Sequence, residues 1–194
     1  MLTHTHIRHR RQTGTSLIEV LVTMVILAFG LLGLAGMQSK LHLTTAESYQ
    51  RAQAIVLLND LGERINANRA QAASYVTVNP LGTGDAEPAN CSGVAAGPSR
   101  DKCEVSNALK GAAEKKADVN TGAMTNARGC VEQLRPRDDT ACIAGLYKVT
   151  VAWQGLHKTK EPDDSCGSGM YGADGYRRAI SVTIAVPTPA CSPS

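Results

Sequence analysis

Aromatic residues are scarce in this chain, which has one Phe, one Trp and five Tyr among 194 residues. Cysteine is absent before Cys91 and proline before Pro80. Because of this change in composition, we place a boundary near residues 75–80, between a helical N-terminal part and a globular head. A head with so few large apolar side chains has a modest core, and we expect disulfides to add to its stability.

Sequence motifs for catalysis and metal binding are also absent. The chain contains no G-x-S-x-G nucleophile turn and no G-x-x-x-x-G-K-[ST] phosphate loop. No two cysteines form a C-x-x-C pair, and only His42 and His157 lie outside the first 14 residues. We therefore predict a protein that is not an enzyme and has neither a cofactor nor a metal site.

Acidic residues are missing from the first 18 positions, whereas Arg8, Arg10 and Arg11 lie within residues 1–14. Without this leader the 20 basic residues fall to 17 and balance the 17 acidic ones. A neutral body has no broad positive field, so we expect no nucleic-acid partner.

A long apolar run follows the leader. The 18 residues Val20–Met37 carry no charge, and as a helix they extend ~27 Å, close to the ~30 Å hydrocarbon thickness of a bilayer. Positive charge before a first hydrophobic span keeps that end in the cytoplasm. We therefore predict one membrane-spanning helix, with the head on the opposite side of the membrane.

Glu19 is the acid at the start of this run, and it has two interpretations. An acid at the end of a span reaches the headgroups, and the positive end of the helix also favours it. Alternatively, cleavage after Gly14 creates an α-amino group on Thr15, one helical turn before Glu19, which provides a partner for the carboxylate within a membrane. An ordinary secretory signal peptide fits less well, because its apolar region is usually ~7–15 residues and an A-x-A site follows it.

Gly14 and the residues after it, Thr-Ser-Leu-Ile-Glu, resemble the class III signal of type IV pilins and pseudopilins. The resemblance implies that a prepilin peptidase cuts after Gly14 and methylates the new N-terminus, Thr15, which stands where phenylalanine is usual. It also implies that Glu19 pairs with the N-terminal amine of a neighbouring subunit during filament assembly.

The continuation to Gln38, with its GLLGLAG segment, is similar to minor pilins of the PilV (type IV pilus modification protein) family. This similarity implies a single-pass protein of the inner membrane, with a periplasmic C-terminus, that later enters an extracellular type IV pilus (fimbrium). The implied partners are other major and minor pilins, the prepilin peptidase and the pilus assembly platform. The implied functions are pilus assembly, twitching motility or adhesion.

Gly30, Gly33 and Gly36 recur at every third position of the apolar run. Small residues permit close approach of helices in membranes. Glycine also costs a helix ~1 kcal/mol relative to alanine, so the segment could unwind locally in a filament. Ordinary membrane-helix glycines are the third interpretation, and the sequence leaves all three open.

Before the boundary we predict one helix from about Leu17 to about Ala73. Two i,i+4 pairs with the acid first, Glu47–Arg51 and Asp60–Arg64, favour it. The predicted segments are a leader peptide (1–14), a transmembrane or filament-core helix (15–38), its amphipathic continuation (39–74) and a disulfide-containing head (75–194). Apolar residues at steps of three and four give the continuation one buried stripe: Ala52, Ile55, Leu58, Leu61 and Ile65.

In the head, period-two alternation predicts two antiparallel strands, Tyr147–Trp153 and Ile180–Val186, which pack on the helix stripe. A weaker amphipathic pattern predicts a helix around Glu104–Ala117, and the turn-rich residues 163–176 predict a long exposed loop. The predicted fold class is therefore α+β and pilin-like, with a long N-terminal helix, membrane-spanning in its first half, packed on a small antiparallel β-sheet head.

Six cysteines in an exported head predict disulfides. Equal separations of 12 residues favour two local pairs and leave a third: Cys91–Cys103, Cys130–Cys142 and Cys166–Cys191.

Two alternatives to a pilus subunit stay open. A pseudopilin of a type II secretion system shares the N-terminal features. An exported, membrane-anchored periplasmic domain of another class uses the apolar run only as a signal or an anchor. N-terminal sequencing tests the second alternative, because a processed pilin begins at Thr15.

Overall fold

The computed structural model describes residues 14, 16–112, 115–116, 119–120, 122 and 124–188. Most of the leader, Thr15 and Cys191 lie outside these residues. The chain divides after Thr44 into two compact units. Helix α1, Leu17–Ala67, begins in the first unit and ends in the second.

Helix α1 ends earlier than the sequence predicts. The predicted end was about Ala73, but residues Arg69–Tyr75 form a 3-10 turn with a non-helical Gln71. The Asn68 side chain donates to the Tyr75 hydroxyl at 2.8 Å and to Asp101 Oδ2 at 2.9 Å. These bonds bring Tyr75 back to the end of α1, where its hydroxyl also lies 3.2 Å from the carbonyl oxygen of Arg64. A straight helix would carry Tyr75 away from all of these groups.

The head contains a four-stranded antiparallel sheet in the order β1-β4-β5-β6. Its strands are β1 Leu81–Gly82, β4 Thr125–Arg135, β5 Gly145–Gln154 and β6 Arg177–Val186. A separate two-stranded ribbon joins β2 Lys115–Lys116 and β3 Val119–Asn120. The two predicted strands are confirmed as β5 and β6, whereas β4, which lies between β1 and β5, was not predicted.

The second half of α1 packs on one face of this sheet. Strand β5 turns Tyr147, Val149, Val151 and Trp153 into the core, where they are almost fully buried. The predicted stripe on α1 is correct in its last three members and wrong in its first two, since Ala52 and Ile55 are exposed. The buried apolar residues of α1 are Ala54, Leu57, Leu58, Leu61 and Ile65. The predicted fold class, α+β with a long N-terminal helix on a small antiparallel sheet, is confirmed.

Helix α2 spans Pro98–Leu109, not the predicted 104–117. It begins after Gly97, whose φ of +95° favours glycine, and Pro98 occupies the first turn, where a missing N–H costs no helix hydrogen bond. The Arg64 guanidinium of α1 lies 3.0 Å from Asp101 and 2.7 Å from Glu104 on α2. It also forms the predicted pair with Asp60 at 3.0 Å. These ion pairs attach α2 to the end of α1.

The disulfides agree with the sequence prediction in one pair. Cys91–Cys103 is confirmed, with a Cα–Cα distance of 5.9 Å. Cys130 is bonded to Cys166, so the predicted pairs Cys130–Cys142 and Cys166–Cys191 are both wrong. Cys142 is itself disulfide-bonded. Cys130 points from the outer face of β4, and the residues after β5 fold back over that face. The equal spacing of the cysteines along the chain could not reveal that the segment after β5 folds back over β4.

Candidate functional site

The N-terminal part of α1 presents an apolar surface that nothing in the described chain covers. Every residue from Ser16 to Thr44 is exposed, including Leu17 at 82% and Phe29 at 71%. Within the described residues, α1 is the one helix whose length and composition suffice to cross a membrane, with a mean hydropathy of 2.5 over 18 residues. An apolar surface of this extent requires an apolar environment, either lipid or other protein.

Glu19 lies in the first turn of α1. The carbonyl oxygen of Ser16 accepts hydrogen bonds from the backbone N–H of Glu19 at 2.9 Å and of Val20 at 3.3 Å, so the helix starts here. The Glu19 side chain is exposed and lies near the positive end of the helix. Gly14 is exposed as well, and no atom lies within 4 Å of a Cβ built on it. Thr15 lies outside the described residues, and its role as the new N-terminus stays a prediction.

The three glycines of the apolar run have no packing partner within the described chain. A Cβ built on Gly30, Gly33 or Gly36 has no atom within 4 Å, apart from the helix's own backbone. Their backbone is helical. Packing within the described chain therefore does not explain the glycines.

Two threonine hydroxyls near this apolar surface are satisfied by the helix itself. Thr23 Oγ1 donates to the carbonyl oxygen of Val20 at 2.8 Å, and Thr44 Oγ1 donates to that of Lys40 at 3.0 Å. A hydroxyl bonded in this way enters a hydrocarbon environment at a lower cost than an unpaired one. The segment is thus suited to burial in lipid or in a helix bundle.

Glu47, which lies close to the start of the second unit at Thr45, has partners that the sequence did not reveal. We predicted a pair with Arg51. Instead, the Glu47 carboxylate lies 3.0 Å from His157 Nδ1 and 3.4 Å from the Arg178 guanidinium. It also accepts the backbone N–H of Leu156 at 3.3 Å. Glu47 therefore holds the segment after β5 and the start of β6 against α1.

The predicted loop at residues 163–176 is fixed at several points, and it is not uniformly exposed. The buried Arg177 guanidinium donates to the carbonyl oxygens of Asp164, Cys166 and Pro162. Cys166 and Tyr171 are buried against Ala152 of β5. Because the chain is bonded at Cys166 and capped by Arg177, it covers the outer face of β5. The pattern of turn residues predicts a loop but carries no sign of these contacts.

A groove with a volume of about 620 Å³ lies between residues 76–80 and this loop. Its charged side chains are already paired, since Lys148 Nζ is 2.7 Å from Glu132 and 3.5 Å from Asp164. The hydrogen bond to Glu132 is the main cause of the raised pKa of Lys148. In the described part of the chain, no group of three His, Cys, Asp or Glu residues could hold a metal ion. The groove therefore shows no unpaired acid or base for chemistry.

Two protein-family models match consecutive parts of the chain. The model described as "Prokaryotic N-terminal methylation motif" matches residues 9–35, which include Gly14 and Glu19. The model described as "Type IV pilin Tt1218" matches residues 36–108. No curated protein and no solved structure matches the chain. The two matches support a type IV pilin that carries the methylation motif, and with it membrane anchoring through the apolar helix.

Proposed function

We propose that this chain is a minor pilin of the PilV type, a non-enzymatic subunit of a type IV pilus. The observation that carries the proposal is the uncovered apolar surface of α1 between Leu17 and Thr44, with Glu19 at its start. A surface of this kind suits both states of a pilin, first in lipid and then in the helix bundle of a filament. Pilins are structural proteins, in agreement with the absence of catalytic motifs from the sequence.

The proposed maturation uses Gly14, Thr15 and Glu19. A prepilin peptidase removes residues 1–14, and the amine of Thr15 becomes available, with or without methylation. The Glu19 carboxylate of an incoming subunit then pairs with the N-terminal amine of its neighbour. In an apolar filament core an unpaired charge is costly, so this pair selects the one register in which both charges are compensated.

The proposed topology follows from the same segment. The basic leader stays in the cytoplasm, residues 15–38 span the inner membrane once, and the amphipathic continuation (39–74) and the head (75–194) lie in the periplasm. The assembly platform then extracts the subunit into the pilus, where major and minor pilins surround it. The disulfide-bonded head faces outward and supports pilus assembly, twitching motility or adhesion.

Mass spectrometry of purified pili tests this proposal, because it reports both the presence of the subunit and its N-terminus. We expect the mature chain to begin at Thr15. An intact Met1 on pilus-incorporated material contradicts the proposal. Absence from pili, combined with lost exoprotein secretion in a deletion strain, identifies a pseudopilin. A membrane-anchored domain of another class leaves both pili and secretion unchanged.

A further inference from the structure

We propose that the outer edge of strand β6, residues 179–185 and here called the open edge, pairs with an extended strand of a different subunit of the pilus. The inference rests on the proposed function, because it seeks the partner among the subunits of the same pilus. Strand β6 is the last strand of the four-stranded sheet, and among the described strands only β5 pairs with it. The other side of β6 therefore presents a row of backbone groups with no strand beside it.

Every second residue of β6 turns its backbone groups to the open edge. Just before β6, the N–H of Gly155 donates to the carbonyl oxygen of Tyr176 at 2.8 Å, so these two residues form a hydrogen-bonded pair. The register continues from there without a shift as far as Val186. Because hydrogen-bonded pairs alternate in an antiparallel ladder, the even-numbered residues of β6 bond to β5. The N–H and C=O groups of the odd-numbered residues point outward: Ala179, Ser181, Thr183 and Ala185.

The open edge lacks the features that keep sheet edges from pairing with another chain. Such features are charged side chains, proline and β-bulges. Residues 179–185 contain neither a charge nor a proline, and the register with β5 has no bulge. At the centre of the open edge, Ser181, Val182 and Thr183 are exposed. Seven strand residues extend about 23 Å, which suffices for the main-chain binding of an added strand.

Helix α1 follows the open edge on one face of the sheet. The Glu47 carboxylate lies 3.4 Å from Arg178 at the start of β6, and a Cβ built on Gly62 would lie 3.8 Å from Ile184 Cγ2. Arg51 and Ile55 come one and two helical turns after Glu47, so they lie beside β6 between these two contacts. The apolar surface here is incompletely covered, since Ile55 is 43% and Val182 is 37% exposed. An added strand with apolar side chains towards α1 would cover it.

Arg51 determines the charge of the partner. Its side chain is exposed, and it has no ion-pair partner among the described residues, because Glu47 pairs with His157 and Arg178 instead. An acid on the added strand would complement this charge. A second copy of β6 offers no acid, since residues 177–186 carry two arginines and no carboxylate. The occupant is therefore a segment of another subunit, apolar at alternate positions and with at least one acid.

Amide hydrogen exchange of the full-length protein, with fragmentation that resolves single amides, tests the proposal. In the detergent-solubilised subunit we expect fast exchange at Ser181 and Thr183 and slow exchange at Val182, whose N–H is bonded to β5. In purified pili, exchange at Ser181 and Thr183 should slow by roughly tenfold or more, because the added strand must open before these amides exchange. Unchanged fast exchange at both residues in pili overturns the proposal.

Substitutions of Ser181 form a matched pair at one exposed position. Ser181→Pro removes an outward N–H, whereas Ser181→Ala retains it. We expect the pilus-dependent protection of Thr183 to disappear in the first variant and to persist in the second. Thr183→Lys is a second test that leaves the backbone intact, and it should remove the protection of Ser181 because a lysine blocks edge pairing. Full protection in both Ser181→Pro and Thr183→Lys contradicts strand addition.

The charge of the partner is tested with Arg51→Glu, for which Arg69→Glu at another exposed arginine is the control. We expect the pilus-dependent protection of Ser181 to fall in the first variant and to stay at the wild-type level in the second. Equal protection in the two variants contradicts an acidic partner. A photoreactive side chain at Thr183 then identifies the occupant by mass spectrometry of cross-linked pili. An acidic segment of another subunit supports the proposal, and a second copy of β6 overturns it.

The same pilus preparation separates this proposal from the proposed function. A subunit that is present in pili but exchanges fast at the open edge contradicts strand addition alone. A subunit that is absent from pili contradicts the pilus function, and strand addition to a pilus partner with it.

Discussion

At the scale of single residues, Tyr75 connects the end of α1 to α2. Its ring is fully buried, and its hydroxyl donates to Asp101 and accepts from Asn68 at 2.8 Å. Burial and the hydrogen bond to Asp101 raise the pKa of Tyr75 well above its usual value of 10.0. The hydroxyl therefore keeps its proton and remains a donor at physiological pH.

We expect Tyr75→Phe to lower the free energy of unfolding by about 1–3 kcal/mol, because Asp101 loses a donor but stays largely buried. Urea unfolding of the detergent-solubilised protein, followed by the fluorescence of the single, buried Trp153, measures the change. Tyr176→Phe is the control, since Lys158 lies over its ring and none of the described residues forms a hydrogen bond with its hydroxyl. Equal effects of the two substitutions would show that the Tyr75 hydroxyl contributes no specific stability.

Asp85 is a well-buried carboxylate whose ionisation should matter for stability in acid. Burial alone raises the pKa of Asp85, but the contacts of its carboxylate with Lys110 and with the backbone N–H groups of Gly82 and Glu87 hold it below the usual 3.8. Its carboxylate lies 2.5 Å from Lys110 Nζ and 2.7 Å from the backbone nitrogen of Gly82. Because the pKa is lower in the folded state, the stabilisation is complete above pH 3.8 and is lost as the pH falls through the folded value.

The wild-type protein should therefore lose unfolding free energy as the pH falls below 3.8, and Asp85→Asn should lose less over the same range. At neutral pH, the same variant should be less stable by about 1–3 kcal/mol, because Lys110 loses its partner. Urea unfolding at a series of pH values measures both effects. Asp163→Asn, at an exposed acid, is the control. A pH profile of Asp85→Asn that parallels the wild type excludes the linkage.

At the scale of elements, the sequence predicts the strands and helices that can be recognised from the pattern of their own side chains. Strands β5 and β6 alternate large apolar and polar side chains, so period two identifies them. Strand β4 turns Ala127, Gly129 and Val131 inward, and only the last of these has the size and shape typical of a strand residue. Helix α2 has Pro98 in its first turn, a start signal that its weak apolar pattern obscured.

The ends and partners of elements depend on contacts distant in the chain. Helix α1 ends at Ala67 because Asn68, Tyr75 and Asp101 form hydrogen bonds with one another. The residues around Asn68 do not indicate a hydrogen-bond partner that lies 33 residues further along the chain. Glu47 likewise takes partners more than 100 residues away instead of Arg51 on the same helix. Such contacts appear only when the sheet brings the segments together.

The two disulfides between described cysteines should contribute unequally. Cys130–Cys166 closes a 36-residue separation and Cys91–Cys103 one of 12. Loop-closure entropy gives roughly 4 kcal/mol for the first and roughly 3 kcal/mol for the second. We expect C130S/C166S to destabilise the head about 1 kcal/mol more than C91S/C103S, as measured by urea unfolding.

Amide hydrogen exchange locates the effect of each disulfide. In C130S/C166S, exchange should accelerate at residues 163–176, because only non-covalent contacts, those of Arg177 and of Asp164 with Thr150 and Lys148, then hold this segment over β5. In C91S/C103S it should accelerate around the start of α2 and leave residues 163–176 unchanged. Acceleration at the same residues in both variants would show that the two cross-links stabilise the head only globally.

At the scale of the whole molecule, the apolar run and the place of Glu19 at its start could be predicted from sequence, because they depend on length, charge and order along the chain. The leader peptide and the assembly role of Glu19 stay predictions. The role of the three glycines in the apolar run could not be predicted in this way. Each of Gly30, Gly33 and Gly36 is open in the single subunit, so alanine there should not disturb the subunit itself. Alanine should even favour the isolated helix by ~1 kcal/mol at each position.

We therefore expect the triple variant G30A/G33A/G36A to insert into membranes normally and to enter pili less efficiently. The reason is either the loss of close helix approach or the loss of local unwinding. Immunoblots of membrane and pilus fractions measure the two steps. Normal incorporation favours the third interpretation, that these are ordinary membrane-helix glycines. Ala28→Leu is the control, because it changes an exposed position of the same run without touching a glycine.

The last prediction concerns Glu19. Glu19→Gln retains the size of the side chain and removes the charge that the proposed assembly step requires. We expect normal membrane insertion, since loss of a charge lowers the cost of entering a bilayer. We also expect a strong loss from purified pili, because the neighbour's N-terminal amine would be buried without a partner, which costs about 3–5 kcal/mol in protein interiors. Quantitative mass spectrometry of the pilus fraction measures the ratio to wild type.

Glu63→Gln provides the matched control, because Glu63 is an exposed acid on the same helix but belongs to the second unit, outside the apolar run. Its pilus content should equal that of the wild type. If Glu19→Gln enters pili as well as Glu63→Gln does, the carboxylate is only a tolerated acid at the end of a span. The register of the filament would then have to come from the apolar surface of α1 itself, and the amine of Thr15 would need no partner from this subunit.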